Sequence, residues 1–400
     1  MKIESIRLKN FKAFQDAEMT DIPDFCIIVG ANGSGKSTIF SVFKFLKDAL
    51  SGNVNSALVK LGGSRGFEEV RSRNSKGPIE IEIKFRESSE KPLITYFLRI
   101  NERKGRAYVE NKILKYHRGS RGKPLSILEF ADGKGYAVTE ISDDAQDKVL
   151  SETSDISKLQ REEQNLKSND ILAIKGLTQF EKFPAVVSLG NFIENWHTSD
   201  FHINRARPEQ EAGYAEHLLT EGENLSIVIQ YLHREYPETF GIIIELLKDR
   251  VPGITDVESK TTEEGRVLLK FQDGSFEDPF LARYVSDGTI KMLAYLVLLY
   301  DPNPHPLLCV EEPENQLYPK LLWELAEEFR DYANRGGQVF VSTHSPDFLN
   351  AALPDEVYWL EKSDGYTKIK RAKDDEQIAA YMEEGDQMGS LWREGFFGEI

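Results

Sequence analysis

The sequence predicts a mixed α/β fold: a parallel sheet flanked by helices, joined by an antiparallel β subdomain and a helical insertion. Three observations carry this. An apolar run, Cys26-Ile27-Ile28-Val29, passes through a Gly-rich turn into a helical pattern over 36–50. Alternating apolar positions recur at Ile79, Ile81, Ile83 and Phe85, and again at Ile94, Tyr96, Leu98 and Ile100, as in half-buried antiparallel strands. Beyond residue 286 strands alternate with helices, the pattern of a parallel sheet.

Taken in order, the chain opens with strands at about 2–9 and 25–30. The helix over 36–50 presents Ile39, Phe40, Phe43, Leu46 and Leu50 at three- and four-residue spacing. Turns such as Arg103-Lys104-Gly105 join the antiparallel strands, and Tyr108, Ile113 and Tyr116 continue their pattern. From about 140 to 172 large apolar residues thin out, so this stretch reads as a charged helical insertion or a mobile segment, unable to bury much surface alone. Helical periodicity resumes over 222–249 and stops at Pro252-Gly253. Two strands follow near 255–260 and 266–271. A helix from Ser286, a strand at 307–311, a helix at 319–333, a strand at 338–342 and a short helix at 346–351 complete the alternation. The expected organisation is 1–125 as the N-terminal part of a head, 126–200 as the insertion, 201–365 as its C-terminal part, and 366–400 as a tail. Trp392, Phe396 and Phe397 in that tail either pack on the chain itself or serve as a docking peptide.

The bulk composition excludes several classes. No apolar run reaches the length of a membrane span, and Ile3, Ile6 and Leu8 open the chain without a secretory signal. Cys26 and Cys309, each inside an apolar run, read as buried free thiols, which implies a cytoplasmic address. The net charge of −16 is unevenly divided. Residues 1–123 hold 24 Lys and Arg against 14 Asp and Glu, and residues 124–400 hold the other 26 and 52. The densest basic stretch contains Arg103, Lys104, Arg106, Lys112, Lys115 and Arg118. It is either a solvated face or a place where a phosphate backbone docks.

Four elements carry chemistry. Gly30-Ala31-Asn32-Gly33-Ser34-Gly35-Lys36-Ser37 follows a strand and opens a helix, with Thr38 next in line. Glycines let successive N–H groups turn toward phosphates, and the helix N-terminus adds partial positive charge. Lys36 would reach the β- and γ-phosphates of ATP and the Ser37 hydroxyl would ligate Mg²⁺. Leu307-Leu308-Cys309-Val310 ends in Glu311 and Glu312 at a strand tip; Glu311 suits Mg²⁺ and Glu312 suits a general base acting on water. Val339-Phe340-Val341 ends in Ser342-Thr343-His344, whose imidazole is either structural or a hydrogen-bonding partner of the γ-phosphate or the attacking water. Ser286-Asp287-Gly288-Thr289 opens an apolar helix, as a plain N-cap or as a phosphate contact for a nucleotide on another subunit.

In this order the four elements resemble the ABC-type ATPase heads of the RecF/SMC/OLD class, and more narrowly the stand-alone AAA-family ATPases with a split ABC head and no long coiled coil. Ser286-Asp287-Gly288-Thr289 stands where such proteins carry their signature, Glu311-Glu312-Pro313-Glu314-Asn315 where they carry the Walker B and D-loop, and His344 at the switch position. Leu8-Lys9-Asn10-Phe11-Lys12-Ala13-Phe14 looks like the first strand and turn, making Lys12 a further nucleotide contact. Glu311 replaces the more usual Asp, and Asp287 a signature glycine. The resemblance covers 1–50 and 200–360 and says nothing specific about 120–200.

What it implies is a P-loop NTPase of ABC type that hydrolyses Mg·ATP between two chains, Ser286, Asp287 and Gly288 completing the partner's site in trans. A homodimer or higher oligomer follows, with DNA or RNA as a substrate, or with a separately encoded nuclease or toxin as effector, in DNA repair or anti-phage defence. An ATP-gated scaffold that holds and releases a toxin-like protein, without touching DNA, is the alternative. No membrane partner is expected.

Overall fold

The computed structural model describes residues 1–88, 90–117, 124–139 and 160–398. They form two compact units. Unit 1 takes Met1–Trp196, Asp355–Ala379 and the residues from Phe397; unit 2 takes His197–Pro354 and Ala380–Phe396.

Unit 1 contains an eight-stranded antiparallel sheet. Its order is Phe14–Thr20, Lys2–Phe11, Ile79–Arg86, Ile94–Arg103, Arg106–Tyr116, Leu125–Ala131, Lys134–Val138 and Arg161–Asn165. The period of two fixes its faces: Ile79, Ile81, Ile83 and Phe85 are buried, while Glu80, Glu82, Lys84 and Arg86 point the other way. Ile81 sits opposite Leu8 on one side and Leu98 on the other, so one apolar face runs across the strands. The same unit pairs Phe25–Gly30 in parallel with Val357–Ser363, which returns antiparallel as Tyr366–Arg371. Helix Lys36–Ser51 buries Ile39, Phe40, Phe43, Leu46 and Leu50, with Phe43 edge-on to Trp196 at 5.3 Å. Each such aromatic contributes roughly 2–3 kcal/mol by leaving water.

Three boundaries differ from the sequence expectation. The segment read as a charged insertion over 126–200 begins with strands of the antiparallel sheet and continues into the buried helix Pro184–Glu194. Arg161–Asn165 misleads because its residues alternate between exposed and half-buried, so a strand there carries no apolar stripe. Part of the expected insertion, 140–159, lies outside the described residues. Phe14–Thr20 adds a strand that the sequence pattern does not announce, since its apolar positions are few. The expected tail from 366 starts as a sheet strand, Tyr366–Arg371.

Unit 2 pairs Leu307–Glu311 in parallel with Val339–Thr343, joined by the amphipathic helix Pro319–Asn334. Helix Asp287–Leu299 is buried from Thr289 to its end, as expected of a core helix apolar all round. Helices Leu225–Glu235 and Pro237–Arg250 are separated at Pro237, which starts the second as its N1 residue. They accompany the hairpin Ile254–Thr261 and Arg266–Asp273.

The aromatic tail packs on its own chain. In unit 2, helix Met388–Arg393 buries Leu391 and Trp392, and Gly389 lies so close to Pro346 that a Cβ would fall 2.0 Å from its carbonyl oxygen. In unit 1, Phe397 meets Trp359 edge-on at 5.4 Å. Cys26 and Cys309 are free and buried. Among the described residues no helix is long and apolar enough to cross a membrane.

Candidate nucleotide site

Unit 1 holds the P-loop. Gly33 and Gly35 take φ of 77° and 110°, conformations open to glycine, and Gly35 caps the helix that begins at Lys36. Gly30 is required for space: a Cβ would lie 2.4 Å from Ser34 Oγ and 2.9 Å from the Leu360 carbonyl oxygen. The loop curls over Lys36, whose Nζ donates to the Gly30 carbonyl oxygen at 2.7 Å and lies 3.4 Å from that of Ala31. Thr367 Oγ1 donates to the Ser34 carbonyl at 2.5 Å and anchors the loop to strand Tyr366–Arg371. Asn32, Gly33 and Ser37 remain exposed, Ala31 and Thr38 half-buried. The loop thus offers main-chain N–H groups, a buried ammonium and an open hydroxyl, the donor set that a triphosphate and its Mg²⁺ require.

The Phe11–Phe14 turn lies against this loop. Ala13 and Phe14 come within 3.5 and 3.6 Å of a Cβ built on Gly35. Lys12, between them and Phe11, has φ 47° and is half-buried, and burial lowers its amine below the usual lysine range. Lys362 was missed by the sequence reading; its Nζ is 4.0 Å from a Cβ on Gly33. It stands on strand Val357–Ser363, far from the motif in sequence, so no local signal marks it.

Unit 2 gathers the other motifs. Glu311 is the last residue of its strand, and Glu312 has turned to φ 43°. A left-handed Glu is uncommon and costs on the order of 1 kcal/mol, strain that clusters at functional positions. The Glu312 N–H donates to the Ser342 carbonyl at 2.9 Å, which fixes it beside the second strand tip. His344 Nδ1 lies 3.4 Å from Glu312 Oε1 and 3.5 Å from Glu314 Oε1. Glu314, nearly buried, accepts from Thr343 Oγ1 at 2.8 Å and from the His344 N–H at 3.0 Å. Glu314 therefore orients the histidine, a role its place after Pro313 did not reveal.

Ser286 accepts from the Thr289 N–H at 3.2 Å and so does cap its helix. Arg207 donates to the Val285 carbonyl at 3.0 Å and pairs with Asp287, which holds the signature segment in place. A Cβ on Gly288 would come within 3.1 Å of the Gln316 carbonyl oxygen, so the segment after Glu312 packs against this glycine. One turn further on, Lys291 is buried and donates to the Asn315 carbonyl at 2.7 Å. Burial pulls its ammonium down to about 8 against the opposing pull of Glu314, Asp200 and Glu312. A lysine inside an otherwise apolar helical run, Ile290-Lys291-Met292, was the available signal for it.

The nucleic-acid candidates divide. Arg103, Lys104 and Arg106 are exposed at the tip of the hairpin of Ile94–Arg103 and Arg106–Tyr116, with Arg103 over the Tyr108 ring at 5.0 Å. Lys115 is half-buried and Arg118 lies outside the described residues. Lys112 is a correction. Only 1% exposed, it donates to the Ile171 carbonyl at 2.6 Å, and burial lowers it to about 7. Its amine serves the packing of unit 1 rather than a surface.

The P-loop of unit 1 and the signature, Glu and His elements of unit 2 define an ABC-type ATPase head of the RecF/SMC class. The family model described as "AAA domain, putative AbiEii toxin, Type IV TA system" matches residues 138–350, and that described as "AAA ATPase domain" matches residues 1–180. The chain belongs to the first of these families, whose model spans more than half of it. A DNA double-strand break repair Rad50 ATPase of Saccharolobus solfataricus is 35% identical over 96 residues, 24% of this chain and 11% of that protein. Its counterpart in Pyrococcus abyssi is 28% identical over 186 residues, 42% of this chain and 20% of that protein. The chain therefore matches only a small part of each relative. Among solved structures, an SMC head bound to the C-winged helix domain of ScpA has a TM-score of 0.57 at 14% identity, covering 92% of this chain and 98% of that one. A second SMC head, from Pyrococcus furiosus, has a TM-score of 0.51 at 14% identity, covering 96% and 98%. At these identities the likeness is one of fold.

Proposed function

We propose that the chain binds Mg·ATP on Gly30–Ser37 and hydrolyses it as a pair of chains, using the cycle to switch an activity on nucleic acid. The observation that carries the reading is the P-loop itself, curled over a buried Lys36 with Asn32, Gly33 and Ser37 left open. Main-chain N–H groups and Lys36 hold the phosphates, with Lys12 and Lys362 as flanking cations. Ser37 in unit 1 and Glu311 in unit 2 are the residues that would hold Mg²⁺, and the ion when bound would screen the phosphate charge. Glu312 takes a proton from the attacking water, and His344, oriented by Glu314, donates a hydrogen bond toward it or the terminal phosphate oxygens. Ser286 and the Gly288 N–H contact the nucleotide of the second chain, with Asp287 held back by Arg207.

The nucleic-acid side of the proposal draws support from the exposed cations at Arg103, Lys104 and Arg106, and from relatives whose names refer to DNA double-strand break repair. An effector encoded separately, a nuclease or toxin, fits the toxin–antitoxin wording of the family description. The deciding experiment is the size of Glu312→Gln in solution with and without Mg·ATP. Slowed hydrolysis is expected to trap a pair of chains with ATP. A particle that stays monomeric at saturating Mg·ATP would sink the two-chain reading.

A further inference from the structure

Away from the residues assigned to ATP, three of the chain's seven histidines meet in unit 2. His217 follows the short strand Gln210–Glu211. Asp301 and His305 belong to the turn Asp301-Pro302-Asn303-Pro304-His305, between helix Asp287–Leu299 and strand Leu307–Glu311. His197 stands on strand Trp196–Ser199. His217 Nδ1 and Asp301 Oδ2 are 2.6 Å apart. One ligand-capable atom from each of His217, Asp301 and His305 lies within 4.8 Å of the other two, the one such group of three among the described residues. The His305 ring is 4.9 Å from that of His217 and stacks on that of His197 at 4.7 Å with a 14° tilt. The Asp301 carboxyl is only 5% exposed.

The two Asp301 oxygens are served by His217 and by the Asn303 N–H. Two imidazole nitrogens and one carboxylate oxygen are, however, a donor set suited to zinc and poorly suited to Mg²⁺ or Ca²⁺, which take oxygen. Tetrahedral zinc with bonds of about 2.1 Å sets its ligands roughly 3.4 Å apart, so the widest separation would close by at most about 1.4 Å and the His217–Asp301 pair would open by about 0.8 Å. Their backbones are already held. Asn224 Nδ2 donates to the His217 carbonyl at 2.9 Å, and Tyr332 Oη to the His305 carbonyl at 2.6 Å. The other Asp301 oxygen accepts from the Asn303 N–H at 2.8 Å, and two prolines stiffen the turn.

We infer that unit 2 carries a zinc-class metal site with His217, Asp301 and His305 as ligands, the stacked His197 fixing the plane of the His305 ring. Binding would replace the His217–Asp301 hydrogen bond by two bonds to the ion. The ion would tie the His217 segment to the turn that leads, two residues after His305, into the strand ending at Glu311.

The test uses the full untagged chain, stripped with chelator and titrated with Zn²⁺ or Co²⁺ without nucleotide, so its outcome is independent of the ATPase reading. One zinc per chain at micromolar concentration, visible absorption bands from bound Co²⁺ and a melting midpoint raised by roughly 5 °C or more are expected. His217→Ala and Asp301→Asn should each weaken zinc at least about 100-fold with unchanged far-UV circular dichroism, and His344→Ala should not weaken it. Failure to take up zinc, equal affinity for Mg²⁺, uptake unaltered in both ligand variants, or loss in His344→Ala would each overturn the site.

Discussion

The P-loop and the Glu–His cluster of unit 2 are candidate catalytic regions built in opposite ways. The P-loop is local. Eight consecutive residues set its backbone, and each glycine answers to a left-handed φ or to an approach such as that of the Leu360 carbonyl to Gly30. The cluster is assembled from segments far apart in sequence: the turn after residue 311, the strand tip at 343, and the helix begun at Ser286. A local site depends on a few atoms whose loss nothing replaces, whereas an assembled site spreads its geometry over Glu314, Lys291 and Arg207. Single substitutions should therefore hurt the first far more than the supporting residues of the second.

The largest effect is expected at Lys36. Lys36→Ala removes a buried cation held by the loop's own carbonyls and leaves the phosphates without their charged partner. ATP hydrolysis should fall by at least about 100-fold, with nucleotide affinity falling too, as read by fluorescent-nucleotide titration. Near-normal binding would break the local picture of this site.

Glu314→Gln probes the assembled site. The amide keeps an oxygen for the Thr343 hydroxyl and the His344 N–H but loses the negative charge 3.5 Å from the imidazole. A positioning role predicts a fall in kcat of roughly tenfold with KM for ATP little changed. A fall in both by the same factor as Lys36→Ala would show that the two regions do not differ in kind.

The contrast also explains what was legible in the sequence. The loop, the strand ending at Glu311 with Glu312 just beyond it, and the capped helix at Ser286 follow from patterns within ten residues, and the structure has each of these elements. Glu314, Arg207 and Lys362 were not legible, because their roles come from contacts between segments rather than from neighbours in the chain. The charge count failed differently at Lys112. A lysine among basic neighbours reads as surface, yet on a strand with period two every other residue turns inward, and Lys112 shares that side with Leu114 and Tyr116.

Lys112 can be tested by pH. Its folded-state value of about 7 lies below the unfolded value near 10.5, so between these the unfolded chain binds the extra proton. The cost of burying the charge is therefore full below about pH 7 and is relieved as pH rises, giving a stability that increases with pH over that window. In Lys112→Met the slope of the unfolding midpoint between about pH 7.5 and 9.5 should flatten, though the lost bond to the Ile171 carbonyl lowers its absolute value. An unchanged slope would mean that Lys112 is solvated.

The smallest effect concerns the exposed half of the same basic stretch. Arg103, Lys104 and Arg106 cap a hairpin and contribute little to packing, so reversing all three to Glu should leave the melting midpoint within a few degrees of the parent. If they meet a phosphate backbone, DNA affinity measured against salt should lose up to about 3 from the magnitude of its log–log slope. Lys112→Met should leave that slope alone, because a buried amine releases no counterion. A parent protein with no DNA affinity, with ATP present, would confine these cations to a solvated face. A slope that falls equally in Lys112→Met would instead mean that the hairpin opens when DNA binds.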